Sequence, residues 1–295
     1  MPQSDSPKPA WKELIAGDAP LLLPAAHDAL AARLIARAGF KAYQVGGFAL
    51  AGTRFGFPDI DLIHYGEEAA AVRDIAAACP LPFLVDAGDG YGDVKNVTRT
   101  VQGYEAMGAS AVFIEDQESP VSCGQMGRKT VVPAAEMVGK VRAAVAARRH
   151  PDTFILARTD ARGAVGVDEA IRRGELYAKA GAHGVYVEGL RSANELKRVG
   201  KALDGIPLAT TMMEGGGKLP WLPPEEIGGY GFAMILYPTT LLFRIARAVE
   251  QTLTSLLAGR PLAAGDAVTL DEFEEIVGLP DWAAVEKRFR NGRGA

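Results

Sequence analysis

One unit repeats along the chain: a short apolar run, a turn, then a stretch with apolar residues three and four apart. The runs are Leu21–Pro24, Ala42–Val45, Phe83–Val85, Ala111–Ile114, Phe154–Ala157, Val185–Val187, Pro207–Thr210 and Ala233–Leu236. The stretches between and after them, Ala29–Ala38, Tyr65–Ala78, Val97–Met107, Ala134–Arg148, Asp168–Lys179, Ala193–Leu203, Pro224–Gly228 and Thr239–Ala258, carry the spacing of helices. Gly39, Gly108 and Gly181 each stand between a helix and the next strand, as C-terminal caps do. Strands alternating with helices imply right-handed crossovers and a parallel sheet. Eight such units in ~240 residues predict an α/β chain closed into a (β/α)8 TIM-type barrel rather than an open doubly wound sheet. Pro24-Ala25-Ala26-His27-Asp28 also lacks the Gly-x-Gly-x-x-Gly that opens a dinucleotide fold.

The expected organisation is a flexible segment over 1–10, a barrel over 11–259 and a helical extension over 260–295. Within the extension, Asp271–Asn291 reads as one or two short amphipathic helices anchored by Trp282 and Phe289. The Thr239–Ala258 helix carries Leu241, Leu242, Phe243, Ile245, Leu253, Leu256 and Leu257, more apolar surface than one barrel flank hides. That excess predicts packing against another subunit.

Composition narrows the function. A net charge of -4 gives no general affinity for nucleic acid or anionic membranes. No apolar run approaches the roughly 18 residues of a membrane span. Residues 1–10 lack a signal-peptide core, and Cys79 and Cys123 make no disulfide framework, so a reducing cytoplasm is expected.

The chemistry gathers at the strand ends, which a barrel brings to one face. The first strand ends at His27 and Asp28, the second at Gly46-Gly47 with Asp59 and Asp61 beyond. The third offers Asp86 and Asp89, the fourth Glu115-Asp116-Gln117 and then Cys123. Arg158-Thr159-Asp160, Glu188, Thr210-Thr211 and Tyr237-Pro238 follow. Acidic side chains at two such ends form a hard-oxygen site suited to Mg²⁺, with Mn²⁺ as an alternative. Arg158 is placed to clamp a carboxylate, and Gly46-Gly47 lets backbone N–H groups approach an anion. Cys123, in the polar loop Ser122-Cys123-Gly124-Gln125, is a candidate for proton transfer or nucleophilic attack. His27 is equally readable as a base or as a helix-start hydrogen-bond donor.

At these residues the chain resembles the isocitrate lyase/phosphoenolpyruvate mutase superfamily. The resemblance runs from Leu21 to Gly259 through Phe57-Pro58-Asp59, Asp86-Ala87, Gly90-Tyr91-Gly92, Ile114-Glu115-Asp116-Gln117, Cys123-Gly124, Ala157-Arg158-Thr159-Asp160, Glu214-Gly215-Gly216 and Leu236-Tyr237-Pro238. It is nearest the 2-methylisocitrate lyase and carboxyphosphonoenolpyruvate mutase branch. It implies Mg²⁺ dependence, a homotetramer built as a dimer of dimers, a last barrel helix swapped between subunits, and a closing loop around Val121–Lys129. It also implies Asp86 as the direct Mg²⁺ ligand with Asp59 and Glu115 on its waters; Asp89, one place beyond the superfamily's second aspartate, is a further metal candidate. Gly46, Gly47, Gly124, Arg158 and Thr211 would bind a small carboxylate substrate, Glu188 would orient it, and Cys123 would protonate the departing product.

The departures bear on substrate. Gly88 stands where the superfamily has a second aspartate, and Val121-Ser122-Cys123-Gly124-Gln125 lacks two cations and a histidine. Thr211 replaces a carboxylate-binding asparagine, and Leu219 a threonine. The pocket is therefore less cationic than a tricarboxylate requires. The leading expectation is a Mg²⁺-dependent lyase cleaving a C–C bond in a 2-hydroxy or 2-oxo acid. Phosphonomutase-type C–P chemistry and a non-catalytic binding barrel are the alternatives.

Overall fold

The computed structural model describes residues 8–127, 129–261, 263 and 265–290. Residues 1–7 of the segment expected to be flexible, and Asn291 at the expected helix end, lie outside these. Eight parallel strands appear: β1 (Leu21–Pro24), β2 (Tyr43–Val45), β3 (Phe83–Asp86), β4 (Ala111–Glu115), β5 (Phe154–Thr159), β6 (Gly184–Val187), β7 (Leu208–Thr211) and β8 (Phe232–Tyr237). Their order is β1-β8-β7-β6-β5-β4-β3-β2. A bridge between Ala25 and Gln44 joins the two ends, and Gln44 Nε2 donates to Leu23 O at 3.1 Å across the same seam. The sheet is thus a nearly closed (β/α)8 barrel.

The helices are α1 (Trp11–Leu14), α2 (Ala29–Arg37), α3 (Gly47–Leu50), α4 (Tyr65–Ala78), α5 (Val94–Ala106), α6 (Ala134–Ala147), α7 (Ala161–Ala164), α8 (Val167–Lys179), α9 (Ala193–Ala202), α10 (Pro224–Gly229), α11 (Thr240–Leu257), α12 (Leu270–Val277) and α13 (Leu279–Arg290). Every strand and major helix expected from the sequence is present, with ends shifted by up to three residues. Gly39, Gly108 and Gly181 take φ of 85°, 88° and 108° after α2, α5 and α8, conformations that favour glycine. Three short helices were not anticipated: α1, α3 (continued by a π-turn over Ala51–Phe55) and α7. Each is too short for a helical period to show.

Side chains alternate across each strand, so period two sorts the barrel into an inner and an outer layer. The inner layer holds Leu21, Leu23, Leu84, Ala111, Phe113, Phe154, Leu156, Tyr186, Ala209, Met234 and Leu236. Trp11 of α1 is fully buried in it, its indole N–H on Met234 Sδ at 3.5 Å. Outward residues such as Val85, Val112, Ile114, Ile155 and Ala157 pack against the helices.

One element of the extension, α13, differs from expectation. Trp282 and Phe289 are 62% and 66% exposed, so they anchor nothing in this chain. The extension is fastened instead through α12, where Arg33 and Arg37 of α2 reach Ile276 O and Glu275. α11 buries no residue. Among the described residues, no helix is long and apolar enough to cross a membrane.

Candidate active site

The same alternation builds the site. Leu84 points inward, and so does Asp86 two residues on; Phe113 leads to Glu115, Leu156 to Arg158, Tyr186 to Glu188 and Ala209 to Thr211. Each polar residue is the last inward position at the carboxyl end of its strand, or in the case of Glu188 one residue past it.

Two small cavities open there. One of about 50 Å³ is lined by Gly47, Asp59, Glu68, Asp86, Gly88, Asp89, Glu115, Cys123 and Arg158. The other, about 60 Å³, has Gly46, Gly124, Gln125, Tyr186, Glu188, Thr211 and Thr239 as polar or backbone lining and Phe48, Met213 and Leu236 as apolar wall. Asp59, Asp86, Cys123 and Arg158 line both, so the acidic cavity and the mixed one meet at these four residues. A much larger hollow of about 650 Å³ opens at the opposite end of the barrel, among Lys8, Glu105, Arg149 and Asp152, away from this chemistry.

In the acidic cavity, Asp86 Oδ1 accepts the Gly88 N–H at 2.9 Å. Burial raises the Asp86 carboxyl above its usual range, against the pull of Arg158 and of the Gly88 and Gly47 N–H groups. Asp59 is pushed up to about 6, by burial first and by Asp86 second. Glu115 accepts Gln117 Nε2 on one oxygen at 2.9 Å and meets Arg158 Nη1 at 3.0 Å with the other. Asp89 is more committed: Oδ1 takes the Tyr91 N–H at 2.8 Å and Oδ2 pairs with buried Lys140 at 3.3 Å. Among the described residues, no three His, Cys, Asp or Glu side chains stand as a ready-made ligand set. The donors still fit a hydrated divalent cation. Mg²⁺ takes one or two carboxylates and keeps several waters, and crowded anions that resist ionisation are relieved by a positive charge.

Arg158 forks onto Asp160 through Nε and Nη2 at 2.9 and 3.0 Å, and lies over the Phe113 and Tyr186 rings. The pairing with Asp160 is the structural alternative to a substrate clamp, and here it is made. Asp116, directly after β4, is a fully buried hub for the Thr159 and Tyr177 hydroxyls, the Asp160 N–H and Arg173. It fixes the end of β5, and with it Arg158.

The loop after β4 closes over the strand ends. Cys123 N–H bonds Asp59 O at 3.2 Å, and burial pushes its thiol up to about 11. Gln125 donates to Glu188, which also accepts from the Tyr186 hydroxyl and from Thr211. A Cβ on Gly124 would fall 2.3 Å from Glu188 Cγ and 2.6 Å from Arg158 Nη2, so only glycine lets the loop sit this close. Gln125 Oε1 and Thr239 Oγ1 are buried without partners beside the mixed cavity.

The structure brings together Asp59, Asp86, Asp89, Glu115, Cys123, Gly124, Arg158, Glu188, Thr211, Gly46 and Gly47, and leaves His27 out. His27 is buried with Nδ1 unpartnered and lines neither cavity. Cys79 is buried in the outer core, as a small hydrophobe would be. The sequence reading missed Glu68, Tyr186 and Lys129. Lys129 Nζ donates to Ser122 O at 2.9 Å and returns a cation to a loop that lacks one at 121 and 122. Glu68 carries a readable signal, since it shares the α4 face of Ala71, Val72 and Ile75.

The chain has relatives throughout its length. It matches the phosphoenolpyruvate phosphomutase family over residues 11–257. It is 36% identical over 284 residues to 2,3-dimethylmalate lyase of Eubacterium barkeri, covering 96% of this chain and 98% of that one. To 2-methylisocitrate lyase of Bacillus subtilis (strain 168) it is 35% identical over 279 residues, with 94% and 91% covered. Phosphonopyruvate hydrolase, solved with oxalate and Mg²⁺, superposes with a TM-score of 0.84 at 27% identity, covering 94% and 97%. On matched span and identity together, the chain belongs to the phosphoenolpyruvate phosphomutase family of the isocitrate lyase/PEP mutase superfamily.

Proposed function

We propose that the protein is a Mg²⁺-dependent carbon–carbon lyase acting on a small 2-hydroxy or 2-oxo carboxylic acid. The observation that carries this is the meeting of an acidic cavity and a mixed one at Asp59, Asp86, Cys123 and Arg158. Asp86 would hold the cation directly, with Asp59 and Glu115 on its waters and Asp89 lending charge from the loop it shapes. When bound, the cation supplies Lewis-acid polarisation of the substrate oxygens.

The chain's own residues do the rest. Gly46 and Gly47 present backbone without side chains to one carboxylate, and Arg158 brings positive charge beside the reacting carbon. Glu188, held by Gln125 and Tyr186, orients the substrate with Thr211. In a retro-aldol cleavage the C2 hydroxyl, or for a 2-oxo acid that of its hydrate, gives its proton to a carboxylate lining the cavities and becomes a carbonyl, and the bonding pair stays on the departing carbon. Cys123, a neutral thiol at physiological pH, donates the proton that this carbon takes up. The apolar wall of Phe48, Met213 and Leu236 favours a substituted dicarboxylate over a tricarboxylate.

C–P chemistry is the second reading, and the family's mutase name supports it. Against it, the loop carries no cation at 121, 122 or 125 to meet a phosphonate. The lyase relatives are named for small carboxylates, in keeping with a small-molecule substrate. Isothermal titration with oxalate tests the site: oxalate should bind only when Mg²⁺ is present. Equal binding without metal would count against both enzymatic readings.

The quaternary arrangement belongs to the same proposal. An apolar groove of about 290 Å³, lined by Leu22, Pro24, Leu34, Ile35, Phe40 and Trp221, lies on the flank beside β1 and β8. The exposed stripe of α11 suits that groove on a second copy, in a homotetramer built as a dimer of dimers with α11 exchanged.

A further inference from the structure

Glu68 is a carboxylate on a helix face that should be apolar. It shares the inward stripe of α4 with Ala71, Val72 and Ile75, and only 7% of it is exposed. A buried ion costs several kcal/mol even after relaxation unless a partner compensates. The compensation visible is slight. Tyr91 Oη donates to Oε2 at 2.9 Å, and the Tyr91 and Tyr104 hydroxyls are themselves 2.9 Å apart. Among the described residues, no cation lies within salt-bridge distance of Glu68, and no hydrogen bond reaches Oε1.

That free oxygen stands beside Gly47, a lining residue of the acidic cavity. Oε1 lies 3.1 Å from where a Cβ on Gly47 would stand, and Glu68 lines the cavity with Asp59, Asp86 and Glu115. Gly88 lines it too, with φ 50° and nothing within 4 Å of its would-be Cβ. The strand-end loop thus leaves open space at 88, while a carboxylate enters the same cavity from α4.

We propose that Glu68 belongs to the cation site of this chain, its Oε1 accepting a hydrogen bond from a water of the cation held by Asp86, with Tyr91 setting its orientation. The inference rests on the cation reading above and assigns a residue to it. Glu68 touches no substrate in this arrangement; it is a positioning residue for the hydrated ion.

Calorimetric titration of Mn²⁺ alone into the full chain tests it without turnover. Glu68→Gln keeps the shape and the acceptor for Tyr91 while removing the charge, so the fold should hold and the thermal midpoint should not fall. Its Mn²⁺ affinity should drop by roughly 10- to 100-fold, the range for outer-sphere partners of a metal. Tyr91→Phe, which leaves the charge but frees its orientation, should weaken binding less, and gives a second route if the first variant folds poorly. Wild-type affinity in both variants, with binding lost in Asp86→Asn, overturns the role of Glu68 and leaves the cation reading standing. No Mn²⁺ binding by the wild-type chain overturns both.

Discussion

At the residue scale, Cys123 decides what the site can do. A cysteine nucleophile needs a lowered pKa and a cationic neighbour, but here burial pushes the thiol up to about 11 and Asp59 and Glu188 push the same way. The group is therefore an acid at neutral pH. The loop has no cation at 121 or 122 and no histidine at 125 to draw the proton off, and the seat between two cavities adds the burial. The sign is testable with iodoacetamide, which reacts with thiolate. Alkylation of Cys123 should be slow at pH 7 and keep accelerating as pH rises towards 11. A rate that levels off near pH 7 would mean a depressed thiol and a nucleophilic role. Other residues were less legible. Arg158 and Asp160 sit two apart on one strand face, so their pairing follows from period two. Lys129 reaches Ser122 only because the loop folds back, which no local pattern encodes.

At the scale of elements, strands were read almost to the residue because each is a dense apolar run with polar or glycine flanks. The polar residues gathered at the rim followed, since each inward position is fixed by its strand. The short helices escaped because one turn has no period. α11 shows the reverse case, a pattern clear in sequence that finds little cover among the described residues. Val249, Leu253, Leu256 and Leu257 are 50% to 92% exposed. Burying one such side chain is worth about 1.5–3 kcal/mol, so leaving a whole stripe in water is costly. Leu253→Asp should lower the mass seen by sedimentation velocity while leaving the far-ultraviolet dichroism unchanged. A wild-type chain that sediments as a monomer at micromolar concentration would contradict the exchange of α11.

At the scale of the whole molecule, the barrel unites these levels. Eight apolar runs determine a parallel sheet, the Ala25–Gln44 seam closes it, and closure gathers residues from Asp59 to Thr211 onto one rim. Closure itself was legible from the count of units. The plug made by Trp11 was not, because a single buried tryptophan has no periodic context. The rim carries an acidic cavity with a partly buried thiol beside it, the arrangement that the proposed metal-assisted lyase needs. The direct measurement is turnover of 2,3-dimethylmalate, 2-methylisocitrate, oxaloacetate and phosphonopyruvate with Mg²⁺, each repeated with chelator and with Cys123→Ser. The account predicts C–C cleavage of at least one of the three carbon acids, lost on chelation and slowed about 100-fold or more in the serine variant, as expected for a missing general acid. Cleavage of phosphonopyruvate alone, or an undiminished rate in Cys123→Ser, would contradict it.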